Sequence, residues 1–164
     1  MELFVDGKLQ RRDRSLDPID FDTEGLSDGY HEIRVVFVAA NQIETSSREV
    51  LPLLVNNNGR SCILTTSSSA CGISDSISLT FAAEGASKIK LCLHEKVLTT
   101  VEGSGGAFTV EAKELGRGPS TLRAIATIGG KEVSSKPRKI QVNGPLLETK
   151  VSTGKTKKRS RAAN

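Results

Sequence analysis

Aromatic residues are scarce in this sequence: it has no tryptophan, one tyrosine and five phenylalanines among 164 residues. A hydrophobic core must therefore be packed mainly from aliphatic side chains, and a platform of exposed aromatic rings for stacking sugars is not expected. No apolar run reaches the roughly 18 residues that a membrane-spanning helix requires. The residues after Met1 contain neither a basic start nor a long apolar stretch, so no secretory signal is predicted in the chain as written.

Cysteine occurs three times, and this odd number argues against a framework of disulfides. Cys92 lies within an alternating strand pattern, where a buried free thiol is common. Cys62 and Cys71 flank a stretch rich in serine and threonine and could face each other across a turn. Whether these two form a disulfide is left open by the sequence.

The net charge of +4 is concentrated at the C-terminal end of the chain. Residues 145–164 contain six basic residues and one acid, which leaves the remainder of the protein at about −1. With few apolar residues, the segment 146–164 is predicted to be a disordered basic tail. Such a tail could bind nucleic acid or another polyanion by counterion release, although it has no aromatic residues among its charges. The candidate polyanion-binding residues are Lys155, Lys157, Lys158, Arg159 and Arg161.

The hydrophobic pattern has the two-residue period of β-strands. In residues 31–37 the alternate residues His31, Ile33, Val35 and Phe37 share one face of a predicted strand. The same alternation recurs in 77–81, 88–93 and 121–128. Turn sequences rich in glycine, asparagine and aspartate separate these runs, and no window of ten residues shows a helical stripe. Many short strands joined by turns predict an all-β sandwich or barrel.

An internal repeat divides the chain. Residues 3–5 match residues 91–93 at an offset of 88. From residue 19 to residue 35, the first copy matches the second at an offset of 89. We therefore expect the same order of strands and turns in both copies, including a short strand around residues 19–21. The pairs at the offset of 89 are Ile19 and Phe108, Phe21 and Val110, Leu26 and Leu115, Gly29 and Gly118, Ile33 and Leu122, Arg34 and Arg123, and Val35 and Ala124.

Two further strand patterns, at 61–66 and 76–82, precede the repeated part of the second copy only. That gives the second copy about seven strands, which is the number in a complete sandwich, whereas the first copy lacks two. The predicted organisation is a partial module at 1–57, a linker at 58–60, a complete module at 61–145 and the tail at 146–164. The linker region is polar and too short to separate the modules widely.

The segments Leu3-Phe4-Val5-Asp6-Gly7 and 26–35, with the sequence LSDGYHEIRV, resemble the bacterial immunoglobulin-like modules found in tandem in exported and cell-surface proteins. The resemblance covers the first third of the chain and, more loosely, the second copy around residues 115–119. It implies two immunoglobulin-like β-sandwich modules, the first without its opening strands. It also implies a spacer or adhesion role in a larger protein, in the extracellular space or cell envelope. Without such a parent chain, the protein would be cytoplasmic.

An acidic segment after the second strand raises the possibility of a calcium site. Asp20, Asp22 and Glu24 place oxygen ligands at alternate positions, with Gly25 sixth. The glutamate that a calcium loop of this kind needs at its twelfth position is replaced by His31. Surface acids are therefore the favoured interpretation, and a weak metal site formed by Asp17, Asp20 and Asp22 is the alternative.

No set of residues in the sequence matches a catalytic or cofactor-binding motif. His31 and His94 are the two histidines, and both are expected on the surface at strand ends, without a recognisable nucleophile or acid partner. We therefore predict a non-enzymatic structural or interaction protein with no cofactor. A carbohydrate-binding accessory module and a polyanion-binding protein acting through the tail are the alternatives.

Overall fold

The computed structural model describes residues 1–14, 18–39 and 46–144, which form strands and one short helix. In the first copy of the repeat, four strands form one antiparallel sheet in the order β2, β1, β3, β4. A two-residue turn at Asp6 and Gly7 joins β1 to β2, and both residues have positive φ angles, as a type I′ hairpin turn requires. The strands are β1 (Glu2–Val5), β2 (Lys8–Arg12), β3 (Gly29–Val38) and β4 (Ser46–Val55).

The second copy has two sheets. One contains β5 (Ile63–Thr66), β7 (Ser76–Ala82) and β10 (Gly105–Glu111), with β7 in the centre. The other is built around β11 (Gly118–Ile128), which pairs with β8 (Ala86–Leu93) on one side and with β12 (Lys131–Ser134) and β13 (Arg138–Asn143) on the other. β9 (Lys96–Glu102) extends this sheet beyond β8, and β6 (Ala70–Gly72) pairs in parallel with β13. The helix α1 is a single turn, Ala112–Leu115.

The two sheets of the second module face each other across an aliphatic core. Leu79, Ile89 and Leu122 are each 0% exposed, and strand β7 alternates buried and exposed side chains along its whole length. The rings of Phe81 and Phe108 lie 4.2 Å apart between their centroids. This arrangement is the packing of a complete β-sandwich.

Over residues 1–14, 18–39 and 46–55, the first module forms one of these two sheets. The residues equivalent to β10, around Ile19 and Phe21, are not a strand, so the predicted short strand at 19–21 is wrong. In the second module β10 pairs along its full length with β7. In the described part of the chain the first copy has no counterpart of β7, so residues 19–21 lack a strand neighbour there.

The predicted fold class is confirmed for the described residues. Strand is their main secondary structure, at 64%, and they form two immunoglobulin-like modules in tandem, the first incomplete. The single helix that the structure describes has four residues, far fewer than a membrane span requires. The predicted tail at 146–164 lies outside the described residues.

Candidate functional site: the joint between the modules

A buried histidine in β3 contacts the turn of the β1–β2 hairpin in the first module. His31 is 7% exposed, so the expectation that it lies on the surface is wrong. Its Nδ1 lies 2.6 Å from Oδ2 of Asp6, and its Nε2 lies 2.7 Å from the carbonyl oxygen of Ser27. The other oxygen of Asp6 accepts a hydrogen bond from the backbone amide of Glu32 at 3.0 Å. Both ring nitrogens are thus engaged in holding the structure together.

The second copy has a simpler version of this contact. Ser120 occupies the position equivalent to His31, is 4% exposed, and donates its hydroxyl to the carbonyl of Leu115 at 3.0 Å. In both copies a polar side chain at the start of the long strand therefore binds the backbone of the preceding turn. Immunoglobulin-like domains often use a tyrosine for the same purpose. The sequence offered a signal for this role, since His31 falls on the inward face of an alternating strand.

The linker is held by one carboxylate. Asp28 is 1% exposed and accepts hydrogen bonds from the backbone amides of Asn57 at 2.6 Å, Asn58 at 2.9 Å and Arg60 at 3.0 Å. The side chain of Asn57 reaches back to donate to the carbonyl of Thr23 at 2.7 Å. The segment that connects the modules is therefore fixed to the turn that precedes β3, and sequence analysis did not identify Asp28.

The electrostatics of Asp28 favour its charged form. Burial by itself raises the pKa of this carboxyl, but the amide donors of Arg60, Asn58 and Asn57 act in the opposite direction and lower it below its ordinary value. A carboxylate that accepts several backbone hydrogen bonds is expected to behave in this way. The ionised form of Asp28 is thus the one that matches the linker geometry.

The modules also meet directly at Gly29. This residue forms a single parallel bridge with Ser134 of β12. A Cβ atom built on Gly29 would lie 2.7 Å from both the nitrogen and the oxygen of Ser134, and the φ angle of Gly29 is +114°. Only glycine fits a position with this backbone conformation and this close approach.

A cleft of about 300 Å³ lies beside the joint and takes side chains from both modules. The cleft contains more acids than bases, and its aromatic residue is the chain's single tyrosine. Its lining residues are Asp6, Tyr30, Glu32, His94, Glu95, Thr121, Arg123 and Pro137. Burial, followed by the negative charges of Glu32 and Asp6, raises the pKa of Tyr30 above its ordinary value. Such a lining can bind a polar ligand.

The repeated arginines lie on the outer face of the two sheets. Arg34 stacks its guanidinium carbon 4.5 Å from the centre of the Phe4 ring, whereas Arg123 lines the cleft. Within the described part of the chain, the Nε atom of each arginine is buried without a hydrogen-bond partner. Neither arginine therefore extends freely into solvent.

The predicted ligand residues are only partly described. Asp17 and the five tail residues lie outside the described residues, so their roles remain predictions. Oδ1 of Asp22 accepts from the backbone amide of Glu24 at 2.8 Å, a local turn contact. Among the residues described, no three His, Cys, Asp or Glu side chains come together as metal ligands would.

All three cysteines are free thiols. Cys62 and Cys92 are buried, and burial raises the pKa of Cys62 to about 11. Burial also raises the pKa of Cys71, with a further contribution from the charge of Asp75. At neutral pH each of these thiols is therefore protonated and a poor nucleophile.

Comparison with known proteins gives a limited result. No protein-family model matches the chain, and no curated protein matches it. Among solved structures, it is similar to the fibronectin(III)-like modules of Clostridium thermocellum CbhA, with 18% identity and a TM-score of 0.41. The match covers 90% of this chain and 79% of that one.

Proposed function

We propose that this chain is a non-catalytic structural element, a spacer or adhesion part of a larger exported protein, in which tandem modules are held in a fixed relation. The observation that supports this proposal is the set of hydrogen bonds that hold the connection between the modules. The backbone amides of Asn57 and of the linker residues Asn58 and Arg60 converge on the buried carboxylate of Asp28. A linker of freely moving modules has no need of such a contact, because flexible connections keep their backbone amides hydrated.

The direct contact at Gly29 and Ser134 adds support. It joins the first residue of the interior strand β3 to the second module by backbone atoms, so the two modules cannot rotate about the linker without breaking it. A rigid tandem array keeps a binding region at a set distance from its anchor. The bacterial origin and the extracellular or envelope location are part of the proposal and rest on the sequence resemblance.

Backbone ¹⁵N relaxation tests the rigid joint. In the wild-type chain, amides of both modules should report one common tumbling time. Removing the carboxylate that binds the linker amides, with Asp28→Ala, should give the two modules separate and shorter tumbling times. The matched control is Asp75→Ala, which removes a carboxylate that accepts from the backbone amide of Gly72 at 2.7 Å inside the second module.

Two results would contradict the proposal. The first is independent tumbling of the modules in the wild-type chain, and the second is unchanged common tumbling in Asp28→Ala. Export is tested separately, by labelling intact and permeabilised source cells with an antibody against the second module. Signal that requires permeabilisation would exclude a surface location.

A second candidate function, binding of a glycan, is favoured by the position of Tyr30 in the cleft beside Asp6 and Glu32. Tyrosine next to carboxylates supplies both a stacking surface and hydrogen-bond acceptors for sugar hydroxyls. Titration with neutral oligosaccharides, followed by amide shifts around the cleft, tests this candidate. Shifts that are lost in Tyr30→Ala would support it, and their absence in the wild type would exclude it for the sugars used.

A further inference from the structure

His31 makes two hydrogen bonds whose partners are both acceptors. Its Nδ1 lies 2.6 Å from Oδ2 of Asp6, and its Nε2 lies 2.7 Å from the carbonyl oxygen of Ser27. Neither an ionised carboxylate nor a carbonyl oxygen can donate, so each ring nitrogen must carry a hydrogen for both contacts to form. A neutral imidazole has one such hydrogen, whereas the imidazolium ion has two.

A neutral ring would make one of these contacts repulsive. The nitrogen without a hydrogen would direct its lone pair at an oxygen atom 2.6 or 2.7 Å away. Because His31 is 7% exposed, water has little access to replace the lost donor, and an unsatisfied buried polar group costs free energy. Both distances are also as short as those of charge-assisted hydrogen bonds.

The proton belongs to the ring rather than to its acidic partner. The side chain of Asp6 is 50% exposed, and its Oδ1 accepts a hydrogen bond from the backbone amide of Glu32 at 3.0 Å. Solvation and an amide donor both favour the ionised form of a carboxyl group. The imidazolium ion of His31 and the carboxylate of Asp6 then form an ion pair.

Asp6 is also the charged side chain that faces the ring most directly. On the same face of the sheet, the neighbouring strands place the apolar residues Leu53 of β4 and Val5 of β1. Lys8 of β2 pairs with Val5 and is exposed to solvent, which screens its charge.

The other ionisable groups around His31 are directed elsewhere. Tyr30 and Glu32 alternate to the opposite face of β3, where they line the cleft. In the turn before β3, Asp28 directs its oxygens to the linker amides, whereas Asp22 and Glu24 are exposed. The pair of His31 and Asp6 therefore governs the charge at this position.

The two acceptors belong to different segments of the first module. Asp6 lies in the turn of the β1–β2 hairpin, whereas Ser27 directly precedes Asp28 and Gly29, which contact the linker and β12. The proton on His31 thus connects the hairpin to the turn that holds the two modules together. Ser120, the equivalent residue of the second copy, makes its contact with a hydroxyl that does not titrate near neutral pH.

We propose that His31 is a pH-sensitive contact, held as the imidazolium ion at neutral pH, and that loss of its proton in alkaline solution loosens residues 27–29 and with them the joint. An unfolded chain releases its histidine protons at about pH 6.5. Above that pH the folded chain binds one proton more than the unfolded chain, so its stability falls as the pH rises. The effect on the modules rests on the proposed rigid joint, whereas the protonation of the ring is measured independently of it.

Long-range ¹H–¹⁵N spectra of the full chain, recorded from mildly acidic to alkaline pH, report the protonation of each histidine ring. At neutral pH both ring nitrogens of His31 should carry hydrogens, and the exposed His94 serves as the internal reference. Asp6→Asn keeps one oxygen acceptor but removes the charge, so it should weaken proton binding by His31 by about tenfold or more. The matched control is Glu32→Gln, which should have a much smaller effect because that carboxylate faces the cleft.

The amide shifts of Ser134 and of Asn57, Asn58 and Arg60 follow the joint in the same samples. They should change at the pH where His31 loses its proton, and at a lower pH in Asp6→Asn. His31→Gln has no titrating ring, so its joint amides should lack this change.

Two results would overturn the proposal. One is a ring nitrogen of His31 without a hydrogen at neutral pH, and the other is a set of joint amides that stay constant while His31 titrates. Independent tumbling of the modules at neutral pH, together with a doubly protonated His31, would refute the rigid joint and support the imidazolium assignment.

Discussion

The two modules are copies of one unit that differ in what lies opposite their shared sheet. Strands β1, β3 and β4 of the first module correspond to β8, β11 and β13 of the second and pair in the same order. Leu122 and Ala124 of the second copy are 0% exposed, whereas their equivalents in the first copy, Ile33 and Val35, are half-buried. Strand formation therefore follows from the local pattern and from hairpin neighbours, while burial requires a second layer.

Comparing the two copies also shows which contacts belong to the repeated unit and which belong only to the connection between the modules. The contact between His31 and its turn has a counterpart in Ser120, so it belongs to the repeated unit. The position equivalent to Asp28 is Arg117, which cannot accept hydrogen bonds from linker amides. The side chain of Arg117 instead lies close to Gly144, within 3.0 Å of a Cβ built there. The carboxylate clamp is thus specific to the junction between these two modules.

The largest difference should appear when the modules are separated. Fragment 58–145 should unfold cooperatively as a monomer, because its core is enclosed by two sheets. Fragment 1–57 should be unfolded or oligomeric, since each apolar side chain left uncovered forfeits part of roughly 1.5–3 kcal/mol. Urea unfolding and sedimentation of each fragment provide the measurement. A cooperative, monomeric transition from fragment 1–57 would contradict the view that its sandwich is incomplete.

Truncation at equivalent positions gives a smaller and more local contrast. Leu122→Ala removes a side chain that is 0% exposed and should destabilise the second module by about 2–5 kcal/mol. Ile33→Ala, at the matching position of the first module, should cost only about 1 kcal/mol because this residue is half-buried. Chemical denaturation of both variants compares the two losses. Equal losses would mean that the first module's face is covered in solution.

Two equivalent glycines distinguish contact between the modules from backbone strain. Gly29 and Gly118 have φ angles of +114° and +100°, but a Cβ would meet the Ser134 backbone only at Gly29. Backbone strain should destabilise both alanine variants by about 1–3 kcal/mol. Gly29→Ala should in addition disrupt the contact between Gly29 and Ser134. Amide chemical shifts of Ser134 and its neighbours report that loss. Unchanged shifts in Gly29→Ala would show that the modules are not in contact there.

The smallest expected effect is the pH dependence of the joint. The folded-state pKa of Asp28 is lowered, so its contribution to stability is fully present above the ordinary aspartate value of about 3.9 and is lost as the pH falls through the lower, folded value. Tumbling of the two modules, measured by ¹⁵N relaxation from neutral pH downward, should become independent in acid. Asp28→Asn should lack this component, and an identical acid response in that variant would assign the effect to another group.

Sequence reasoning predicted the β-strands better than the contacts that organise them. Strand β7 begins and ends at the bounds of the predicted strand pattern at 76–82. The short strand at residues 19–21 was wrong because strand formation there depends on a partner far away in sequence. His31 was expected on the surface because no sequence motif gives it an acidic partner. Its partner Asp6 lies 25 positions away in sequence and comes close only through the hairpin.

The sequence by itself determined the all-β class and the internal repeat. These properties follow from side-chain alternation and turn residues, which act over a few positions. The tertiary structure alone decided that Asp28 binds the linker and that Gly29 touches Ser134. It also decided that both ring nitrogens of a histidine are occupied by structural contacts. Apart from the contact of His31 with Ser27, these contacts join residues about 25 to 105 positions apart, and their geometry exists only once the sheets have formed.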